Sequence, residues 1–480
     1  MHTKPLAISE PLGPVLIVDD IRHGQIHLAV LVVAPKGHDV PPLVFDGDAF
    51  EFLPLAVFDD LTVCRARFTA PAKGAFHYSF AGEDYPVCTS FDGDMRLGFA
   101  SCNGEEHGDL DRDNAERNVM WSRLRKEHEE APFALLLHGG DQIYADEATK
   151  GHALSDDWPN SVPKDPLQSD LHDLDDHLRR EFMRRYLAML QCPDYGWLVA
   201  RVPSLSQWDD HDICDGWGSL PRSRTYSPVG RHLFQVARDM ALLFQHGTVD
   251  GDLPGRFHDP EGYHLGWSID LPQCRLIAPD LRSERTRRQI MGPGGWAMME
   301  QLAQSPAKKR VLMMSSVPLL GPRLSILESL MIVIPKMQHY EDDLRDQWQS
   351  RAHRDEWRRM LRLLQEVANK DSAEITVISG EIHLATRATM ELQPGQHLHQ
   401  LVASGVTHRA PPKAWARFLG ALSWLGEDPL PKNRILIHPI PGQSHRYIAE
   451  RNTMSLQRKD GKWSAQWHFE KLGRTDLLKL

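Results

Sequence analysis

Residues 133–146 read FALLLHGGDQIYAD. The apolar run 133–137 ends in His138 and two glycines, a pattern that predicts a short, fully covered strand of an α/β sheet. Because glycine lets the backbone turn sharply, we expect Asp141 at the carboxyl end of this strand, where ligands of open α/β sheets bind. An acid there, with Tyr144 three residues on, indicates a hard-metal site, although a helix-capping Asp and a core tyrosine would give the same letters.

The composition is that of an ordinary globular protein. The chain has 480 residues, of which 41% are hydrophobic and 25% charged, so it is long enough for two or more domains. Its net charge of −10 argues against a stable complex with nucleic acid, whose backbone is also anionic. An acidic chain that handles phosphate needs local cations, and bound metal ions would supply them.

The cysteines and the apolar segments indicate the cellular compartment of the protein. Six cysteines are scattered without a C-x-x-C pair, which argues against a disulfide framework or a structural zinc finger and favours a reducing compartment. The amino terminus lacks a basic region followed by a long apolar core, so no signal peptide is expected. The nearest approach to a membrane span, residues 319–334, is interrupted by Pro322, Arg323 and Glu328. We therefore expect a cytoplasmic protein without a membrane span.

Residues 1–92 have the pattern of a small β domain. Apolar and alternating runs at 26–33, 50–58, 61–68 and 76–80 are separated by turn residues, without helical periodicity between them. This predicts an N-terminal β-sandwich over 1–92. The pattern changes after Asp92-Gly93-Asp94, so a catalytic domain is expected over 93–480.

The rest of the chain alternates between strands and helices, which predicts an α/β fold with parallel pairing. Residues 147–177 are rich in Asp, Pro and Ser and are expected to run over the surface. Strands are predicted at 95–101, 275–278, 311–315 and 375–379, and in the tail 447–469, where Asp460-Gly461 would form a hairpin turn. Helices are predicted at 118–128, 178–190, 228–245 and 346–368.

Four segments share one plan, in which a buried run ends abruptly in residues that can bind metals. They end in Cys102 after RLGFAS, in Asp141 and Tyr144 after FALLLHGG, in Asp210 and His211 after VPSLSQWD, and in Glu381 and His383 after ITVISG. A parallel sheet would bring all four ends to one edge, so these distant residues are expected to converge. Each residue alone has an ordinary structural explanation, and only their conjunction indicates a metal site.

The four segments together resemble the PhoD-like alkaline phosphatases (alkaline phosphatase D), a branch of the calcineurin-like metallophosphoesterase superfamily. The family's SC, GDxxY, WDDH and late GDxH landmarks correspond here to Ser101-Cys102, to GDQIY at 140–144, to WDDHD at 208–212 and to GEIH at 380–383. The segment DLRSER at 280–285 is similar to the family's D-x-R-x-x-R run. The resemblance covers most of the chain, and WDDH is its most specific piece.

The resemblance implies a four-layer αββα metallophosphatase core, preceded by the small β-sandwich, with two metal ions about 3.5–4 Å apart. Asp141 would bridge the ions. Cys102, Tyr144 and His383 would complete the coordination shell of the first ion. The phenolate and thiolate in this shell suit Fe(III). Asp210 and Glu381 would serve the second ion, which could be Ca, Mn, Mg or Zn.

The implied activity is hydrolysis of a small phosphoester, either a monoester or a diester. A hydroxide activated by the two metals would attack phosphorus while both ions neutralise the phosphoryl oxygens. His211 would protonate the leaving oxygen or stabilise its charge, and Arg282 and Arg285 would clamp the remaining oxygens. The oligomeric state is not predicted.

Two departures from the family pattern keep a second class of function open. Glu381 stands where the family has Asp, and Ser315-Ser316 follow a strand where related bimetal phosphatases often supply a histidine. The second metal could therefore be weakly held, and the alternative is a metal-binding or anion-binding module with a decayed catalytic site. A serine hydrolase and a P-loop NTPase are disfavoured, because the chain lacks both the G-x-S-x-G and the G-x-x-x-x-G-K-[ST] motifs.

Overall fold

The computed structural model describes residues 8–58, 60–306, 308–322 and 346–480. These residues form a mixed α/β fold with two large sheets and one small sheet, which confirms the predicted α/β class. Most of the apolar run 319–334 lies outside the described residues. Within the described ranges, no helix combines the length and the apolar character that crossing a bilayer requires.

The first large sheet has eleven strands and contains the strand predicted from residues 133–137. Its amino-terminal strands are β1 (Leu12–Arg22), β2 (Gln25–Pro35), β5 (Leu53–Val57) and β6 (Leu61–Pro71). Its central strands are β9 (Met95–Ala100), β10 (Leu135–Gly139) and β11 (Ser204–Gln207). Its carboxyl-terminal strands are β21 (Asn452–Lys459), β22 (Lys462–Phe469), β23 (Gly473–Arg474) and β24 (Leu478–Lys479).

The second large sheet has nine strands. Those nearest the site are β12 (Trp267–Asp270), β13 (Cys274–Ala278), β14 (Arg310–Met314), β15 (Glu374–Ser379) and β17 (Gln396–Val402). The others are β16 (Ala385–Gln393), β18 (Glu427–Leu430), β19 (Asn433–His438) and β20 (Tyr447–Ile448). Strands β13, β14, β15 and β17 are parallel neighbours, as are β9, β10 and β11 in the first sheet, so the carboxyl ends of each set lie at one edge.

A third sheet of four short strands covers part of the amino-terminal region. It contains β3 (Leu43–Phe45), β4 (Asp48–Phe50), β7 (Ala75–Phe80) and β8 (Glu83–Cys88). Phe68 of β6 contacts Phe45 and Phe76 of this sheet, with ring centroids 5.1 and 5.9 Å apart. Strand β1 pairs in parallel with β11 at Ile17 and Ser204, so the first 92 residues share a continuous sheet with the centre of the molecule. The separate β-sandwich domain and its boundary near residue 93 stay predictions.

Helices flank the two large sheets. The longest are α2 (Val119–Glu130), α3 (Gln168–Leu190), α6 (Pro228–His246), α7 (Pro293–Gln304) and α8 (Arg354–Asp371). Shorter ones are α1 (Asn114–Arg117), α4 (Pro193–Val199), α5 (Arg222–Thr225) and α9 (Lys413–Leu422). Helix α6 shows why such segments begin and end where they do: Ser227 accepts a hydrogen bond from the Gly230 N–H, Pro228 occupies the first turn, and Gly247 ends the helix at φ 62°.

The second sheet presents its two faces to different cores. Leu276, Leu312 and Ile378 belong to a cluster that also contains the buried residues of the first sheet. The intervening residues, such as Ile277, belong to a cluster with α7 and α8. The indole N–H of Trp267 donates to Ser206 O at 2.7 Å, which ties β12 to β11 across the two sheets. Because successive residues of a strand point to opposite faces, one face of the second sheet packs on the first sheet. This packing holds together the two sheet edges that carry the site residues.

Several predicted elements need correction. The helix predicted to begin at Asp346 begins at Arg354, after a 3-10 turn at Arg351–His353. Asp346 and Gln347 instead contact Arg282 and Glu381 at the site. Helix α3 begins at Gln168, ten residues before the predicted start, and the supposed surface excursion buries Trp158, whose indole donates to Ser227 Oγ. Strand β1 was not predicted. The Asp460-Gly461 hairpin is confirmed, with Lys459 paired to Lys462 and both turn residues at positive φ.

The carboxylate of Glu127 joins α2 to the carboxyl-terminal strands. It accepts from Arg474 Nε at 2.5 Å and lies 3.2 Å from His468 Nδ1 and 3.5 Å from Arg96 Nη2. Burial opposes the charge, but the hydrogen bonds and charges of His468 and Arg474 outweigh it and lower the pKa of Glu127 to about 2. The ionised carboxylate therefore stabilises the folded state at neutral pH.

We predict that Glu127→Gln lowers the free energy of unfolding by about 1–3 kcal/mol at pH 7. Because the pKa is lowered in the folded state, this contribution is present above the unfolded pKa, near 4.5. It is lost as the pH falls towards 2, so the melting temperatures of variant and wild type should converge there. Thermal melting followed by circular dichroism tests this, with Glu130→Gln, the exposed partner of the same arginine, as the matched control. An equal loss at pH 7 and at pH 2.5 would contradict it.

Candidate functional site

Three neighbouring strands of the first sheet deliver site residues to one edge. Cys102 follows β9, Asp141 follows β10, and Asp209 and Asp210 follow β11. The loops are fixed to each other by backbone hydrogen bonds: the N–H of Cys102 donates to Gly140 O at 3.2 Å, and the N–H of Asn103 donates to Asp141 O at 2.8 Å. The predicted convergence is therefore built by the parallel order of the strands.

Four predicted site residues have a left-handed backbone. The φ angles are 58° at Cys102, 55° at Asp141, 68° at Glu381 and 52° at His383. Such angles are uncommon outside glycine and cost about 1–3 kcal/mol each. Their concentration at four chain positions that meet in space is typical of a functional site, since the surrounding contacts must hold them.

Two glycines in the motifs are required by close approach. A Cβ on Gly140, whose φ is 108°, would lie 2.8 Å from Asp209 Cβ. A Cβ on Gly380 would overlap Ser101. The glycine of GDQIY thus lets β10 lie beside the WDDHD turn, and the glycine of GEIH lets the second sheet meet Ser101-Cys102.

Asp212 organises the turn around Asp141. Its carboxylate accepts from the N–H groups of Asp141 at 2.9 Å, Ile143 at 3.2 Å and Asp209 at 2.9 Å, and from Gln245 Nε2 of α6 at 2.9 Å. Burial raises the pKa of Asp212 to about 7, and the backbone hydrogen bonds oppose that rise. Asp212 therefore acts as a brace between two strand ends rather than as an open ligand.

A cluster of carboxylates lies at the centre. One oxygen each of Asp141, Asp209 and Asp210 lies within 4.8 Å of the others, and all three residues are buried. Burial, followed by the charges of Asp209 and Asp210, raises the pKa of Asp141 well above its ordinary value, although His211 opposes this. Among the described residues, no group hydrogen-bonds to Asp141 Oδ1.

Two buried arginines face these acids. Arg282 pairs with Asp209, with Asp210 at 3.2 Å and with Asp346. Arg285 pairs with Asp346 at 2.9 Å, while its Nε and Nη1 have no hydrogen-bond partner in the described part of the chain. Burial works against charge on Arg282, but the carboxylates outweigh it and raise the pKa well above its ordinary value. Burial lowers the pKa of Arg285, although Asp346 opposes it.

Aromatic and sulfur groups adjoin Asp141 on the other side. Cys102 Sγ lies 3.3 Å from Asp141 Oδ2, and Tyr144 Oη lies 3.0 Å from His383 Nε2. Burial and the nearby acid raise the pKa of Cys102 well above its ordinary value. Burial, followed by Cys102 and Asp141, does the same to the pKa of Tyr144. Both groups are therefore protonated at neutral pH unless a cation displaces the proton.

His408 and Glu106 extend this side of the site. The rings of His383 and His408 are stacked with centroids 3.4 Å apart, and Nε2 of His408 lies 3.2 Å from both carboxylate oxygens of Glu106. Burial alone would raise the pKa of Glu106, but the hydrogen bond and charge of His408 hold it well below its usual range. Ligand atoms of Glu106, His383 and His408 lie close enough together to hold a metal ion.

His211 is held beside the cluster. Its Nδ1 lies 3.0 Å from Asp146 Oδ1, and its ring is stacked on Tyr144 with centroids 4.2 Å apart. Burial opposes charge on the ring, but Asp146 and Asp210 outweigh it and raise the pKa of His211 well above its ordinary value. Ligand atoms of Asp210, His211 and Asp215 also lie within 4.8 Å of one another, so His211 could bind a cation as well.

A family model described as PhoD related phosphatase matches residues 111–340 of this sequence. The solved structure of PhoD superposes with a TM-score of 0.60 at 12% identity, covering 99% of this chain and 93% of the PhoD chain. The family model and the fold together support a PhoD-like phosphatase assignment for this chain. The matched segment includes Asp141, Tyr144, the WDDHD motif and both site arginines, which confirms the resemblance seen in the sequence.

Two further proteins are similar to this chain. The uncharacterized protein YGR266W of Saccharomyces cerevisiae is 24% identical over 371 residues, covering 63% of this chain and 51% of the yeast protein. The chain thus spans about half the length of that curated relative. GAP50, the anchor in the inner membrane complex of Plasmodium, gives a TM-score of 0.34 at 8% identity, covering 81% of this chain and 89% of GAP50.

The structure brings most of the predicted site residues together. Cys102 contacts Asp141, and Tyr144 contacts His383. Asp210 adjoins Asp141, and His211 is stacked on Tyr144. Both oxygens of Glu381 lie 2.7 Å from Gln347 Nε2, and Glu381, like Cys102, belongs to none of the three candidate metal groups found among the described residues. Arg282 is fully buried in ion pairs with three acids, so its guanidinium braces the cluster.

Sequence reasoning missed several residues that shape the site. Asp209 and Asp212 lie inside the WDDHD motif, but the sequence assigned roles only to Asp210 and His211 of that motif. Asp146 begins a 3-10 turn at Asp146–Thr149, and Glu106, Asp346 and His408 belong to none of the motifs. A signal existed for His408 alone, because it follows a buried strand, β17, by six residues, in the manner of the four recognised segments.

The donor set fits metal cations. Asp141, Asp209, Asp210 and Asp346 contribute four buried carboxylates, against the two buried guanidinium groups of Arg282 and Arg285. The oxygen Asp141 Oδ1 is buried and lacks a partner among the described residues. Buried acids in excess over buried cations are unstable unless protonated or compensated by a metal. Thiol, phenol and imidazole groups on the adjoining side add donors that suit a transition metal.

We predict that Asp141→Asn leaves the chelator-treated protein at least as stable as the wild type, because the substitution relieves repulsion among buried carboxylates. Added Mn²⁺ at 100 times its Kd should stabilise the wild type by about 2.7 kcal/mol and the variant far less. Differential scanning fluorimetry with EDTA and with Mn²⁺ measures both effects. Asp355→Asn, at a fully exposed acid, is the control. A variant that melts much lower in EDTA, or keeps the full response to Mn²⁺, would contradict this account.

Proposed function

We propose that this chain is a metal-dependent phosphohydrolase that acts on small phosphoesters. The assignment to the PhoD-like family supports hydrolysis of a phosphoester. The observations that carry the metal dependence are the convergence of Asp141, Asp209 and Asp210 and the buried oxygen Asp141 Oδ1, which has no partner among the described residues. The proposal includes the four-layer αββα arrangement expected of such a core, with the amino-terminal strands as a β-sandwich.

Two ions are proposed. Asp141, Cys102, Tyr144 and His383 would hold the first, for which Fe(III) suits the phenol and thiol. Asp141, Asp210 and Glu381 would hold the second, with Asp209 as a further candidate that the structure adds. Ca, Mn, Mg or Zn would suit these oxygen donors. When bound, the ions supply charge neutralisation at the phosphoryl oxygens and activation of water for attack on phosphorus.

His211 is proposed to serve the leaving group. Asp146 accepts from its Nδ1–H at 3.0 Å, and the stack on Tyr144 fixes the plane of its ring. This orientation leaves Nε2 as the atom that gives a proton to the leaving oxygen. The adjacent carboxylates favour the imidazolium, which also stabilises developing negative charge.

Arg285 rather than Arg282 is proposed to bind the substrate's phosphoryl oxygens. Arg282 is engaged by Asp209, Asp210 and Asp346, so its role is to hold the acids in place. Arg285 has one acidic partner, and its Nε and Nη1 lack partners among the described residues. Each open donor can form a charge-assisted hydrogen bond to an anionic phosphoryl oxygen.

The proposal predicts hydrolysis of p-nitrophenyl phosphate or of bis-p-nitrophenyl phosphate in the presence of Mn²⁺, Zn²⁺, Ca²⁺ or iron. Chelation and Asp210→Asn should each lower kcat/KM by about 100-fold or more, because charge neutralisation at phosphorus is lost. Asp355→Asn serves again as the matched control. Arg285→Lys, which keeps the charge but loses the two-pronged donor, should raise KM by about tenfold.

The same assay separates the alternative function. Metal binding without turnover of either substrate would favour a metal-binding or anion-binding module with a decayed catalytic site. The observation that supports this alternative is the contact of Glu381 with Gln347, which occupies both oxygens of a proposed ligand. Turnover that survives complete chelation would contradict both functions.

A further inference from the structure

An apolar surface lies around helix α9 and the 3-10 turn that follows it, Ser423–Leu425. Trp424 is 74% exposed, Leu425 55%, Leu436 of β19 50% and Phe418 40%. We call these four residues the aromatic patch. Clustered large apolar side chains on a protein surface mark interaction sites far more often than scattered ones do.

The composition of α9 explains why its outer face is apolar. The helix buries Ala416, Leu419 and Leu422 against the protein, as an amphipathic helix should. Its outward face, however, holds only two charged residues, Lys413 and Arg417, both basic. An ordinary surface helix would carry charges of both signs there. The outer face of α9 is thus apolar and cationic at once.

The charge of this region differs in sign from that of the whole chain. Residues 411–446 contain Lys413, Arg417, Lys432, Arg434 and Arg446 against Glu427 and Asp428, so five positive charges face two negative ones. Glu427 is buried and paired with Arg354, which leaves Asp428 as the exposed acid of the segment. The whole chain carries −10. A basic, aromatic region on an acidic protein favours an anionic partner.

The cations are placed directly against the aromatic patch. The guanidinium of Arg446 lies over the indole of Trp424, 4.0 Å from its centroid, and Arg434 Nη2 donates to Leu425 O at 3.1 Å. The indole is thus exposed to solvent with a positive charge at its flank. Trp beside Arg or Lys is the arrangement of side chains that insert at the boundary between lipid headgroups and acyl chains.

We propose that the aromatic patch and its basic rim form a docking surface for an anionic lipid bilayer. Trp424, Phe418 and Leu425 enter the headgroup region, while Lys413, Arg417, Arg434 and Arg446 contact the acidic headgroups. A second copy of the chain fits this surface less well, because a symmetric contact would bring the same basic rims together. The proposal concerns binding alone and holds whether or not the site turns over phosphoesters.

Docking on this surface would also orient the candidate site. His408 and Lys413 are separated by four residues, 409–412, so their Cα atoms are at most about 17 Å apart. The loop that carries His408 therefore leads directly to the proposed membrane contact. A docked chain holds this side of the site close to the bilayer surface.

Cosedimentation of the full chain with vesicles tests the proposal. Binding is expected to vesicles of phosphatidylcholine with 30% phosphatidylserine and not to pure phosphatidylcholine, with weakening at high salt. Trp424→Ala should reduce the partition coefficient roughly tenfold. Tyr263→Ala, at an aromatic residue that is 75% exposed elsewhere, is the matched control and should bind like the wild type.

A charge-reversal pair tests the basic rim separately. Lys413→Glu combined with Arg417→Glu should reduce binding to the anionic vesicles at least about tenfold, whereas Lys36→Glu on a distant exposed lysine should not. Phe418→Ala provides a second apolar variant, and circular dichroism confirms that each variant folds. The proposal is overturned if the wild type does not bind anionic vesicles, or if Trp424→Ala binds them with the same partition coefficient as the wild type. It is also overturned if the only effect of the patch variants is a loss of self-association, measured by sedimentation equilibrium in the absence of vesicles.

Discussion

The structure depends on the crowding of buried carboxylates at the ends of parallel strands. Asp141, Asp209 and Asp210 are brought within 4.8 Å of each other because β10 and β11 are neighbours whose carboxyl ends lie at one edge. Buried like charges at this distance repel strongly, so protonation or pairing of each carboxylate is favoured. The surrounding chain is arranged to tolerate this crowding, and the same crowding makes the site suitable for cations.

Three devices hold the acids in place. Asp212 accepts hydrogen bonds from backbone N–H groups on both strand ends, which fixes the spacing between them. Arg282 lies between Asp209, Asp210 and Asp346 and couples the first sheet to the segment that precedes α8. Left-handed backbones at Cys102, Asp141, Glu381 and His383 aim the remaining donors inward. The two sheets therefore meet at the site through polar contacts, above the apolar cluster that they share.

The sequence predicted the parts of this arrangement that are local. Residues 133–137 could be interpreted as a strand because every position is apolar, and the Gly-Gly pair places Asp141 just after the observed strand, Leu135–Gly139. What it could not predict are partners chosen by tertiary structure. In the sequence, Asp212 cannot be distinguished from the other acids of a polar turn. Its role is visible only from the backbone N–H groups of another strand end that donate to its carboxylate. His408 reaches His383 only because β15 and β17 are neighbours. Strand β1 was missed because Asp19-Asp20 interrupt its apolar pattern.

The candidate site is proposed to bind metal cations. Anomalous X-ray scattering from crystals of the metal-loaded protein tests this proposal most directly. Data at the iron edge and at the edge of a second added metal locate each kind of ion independently of its ligands. We expect two peaks that share Asp141, one beside Cys102, Tyr144 and His383 and the other beside Asp210. Peaks elsewhere on the surface, or a loaded crystal with none between these residues, would contradict it.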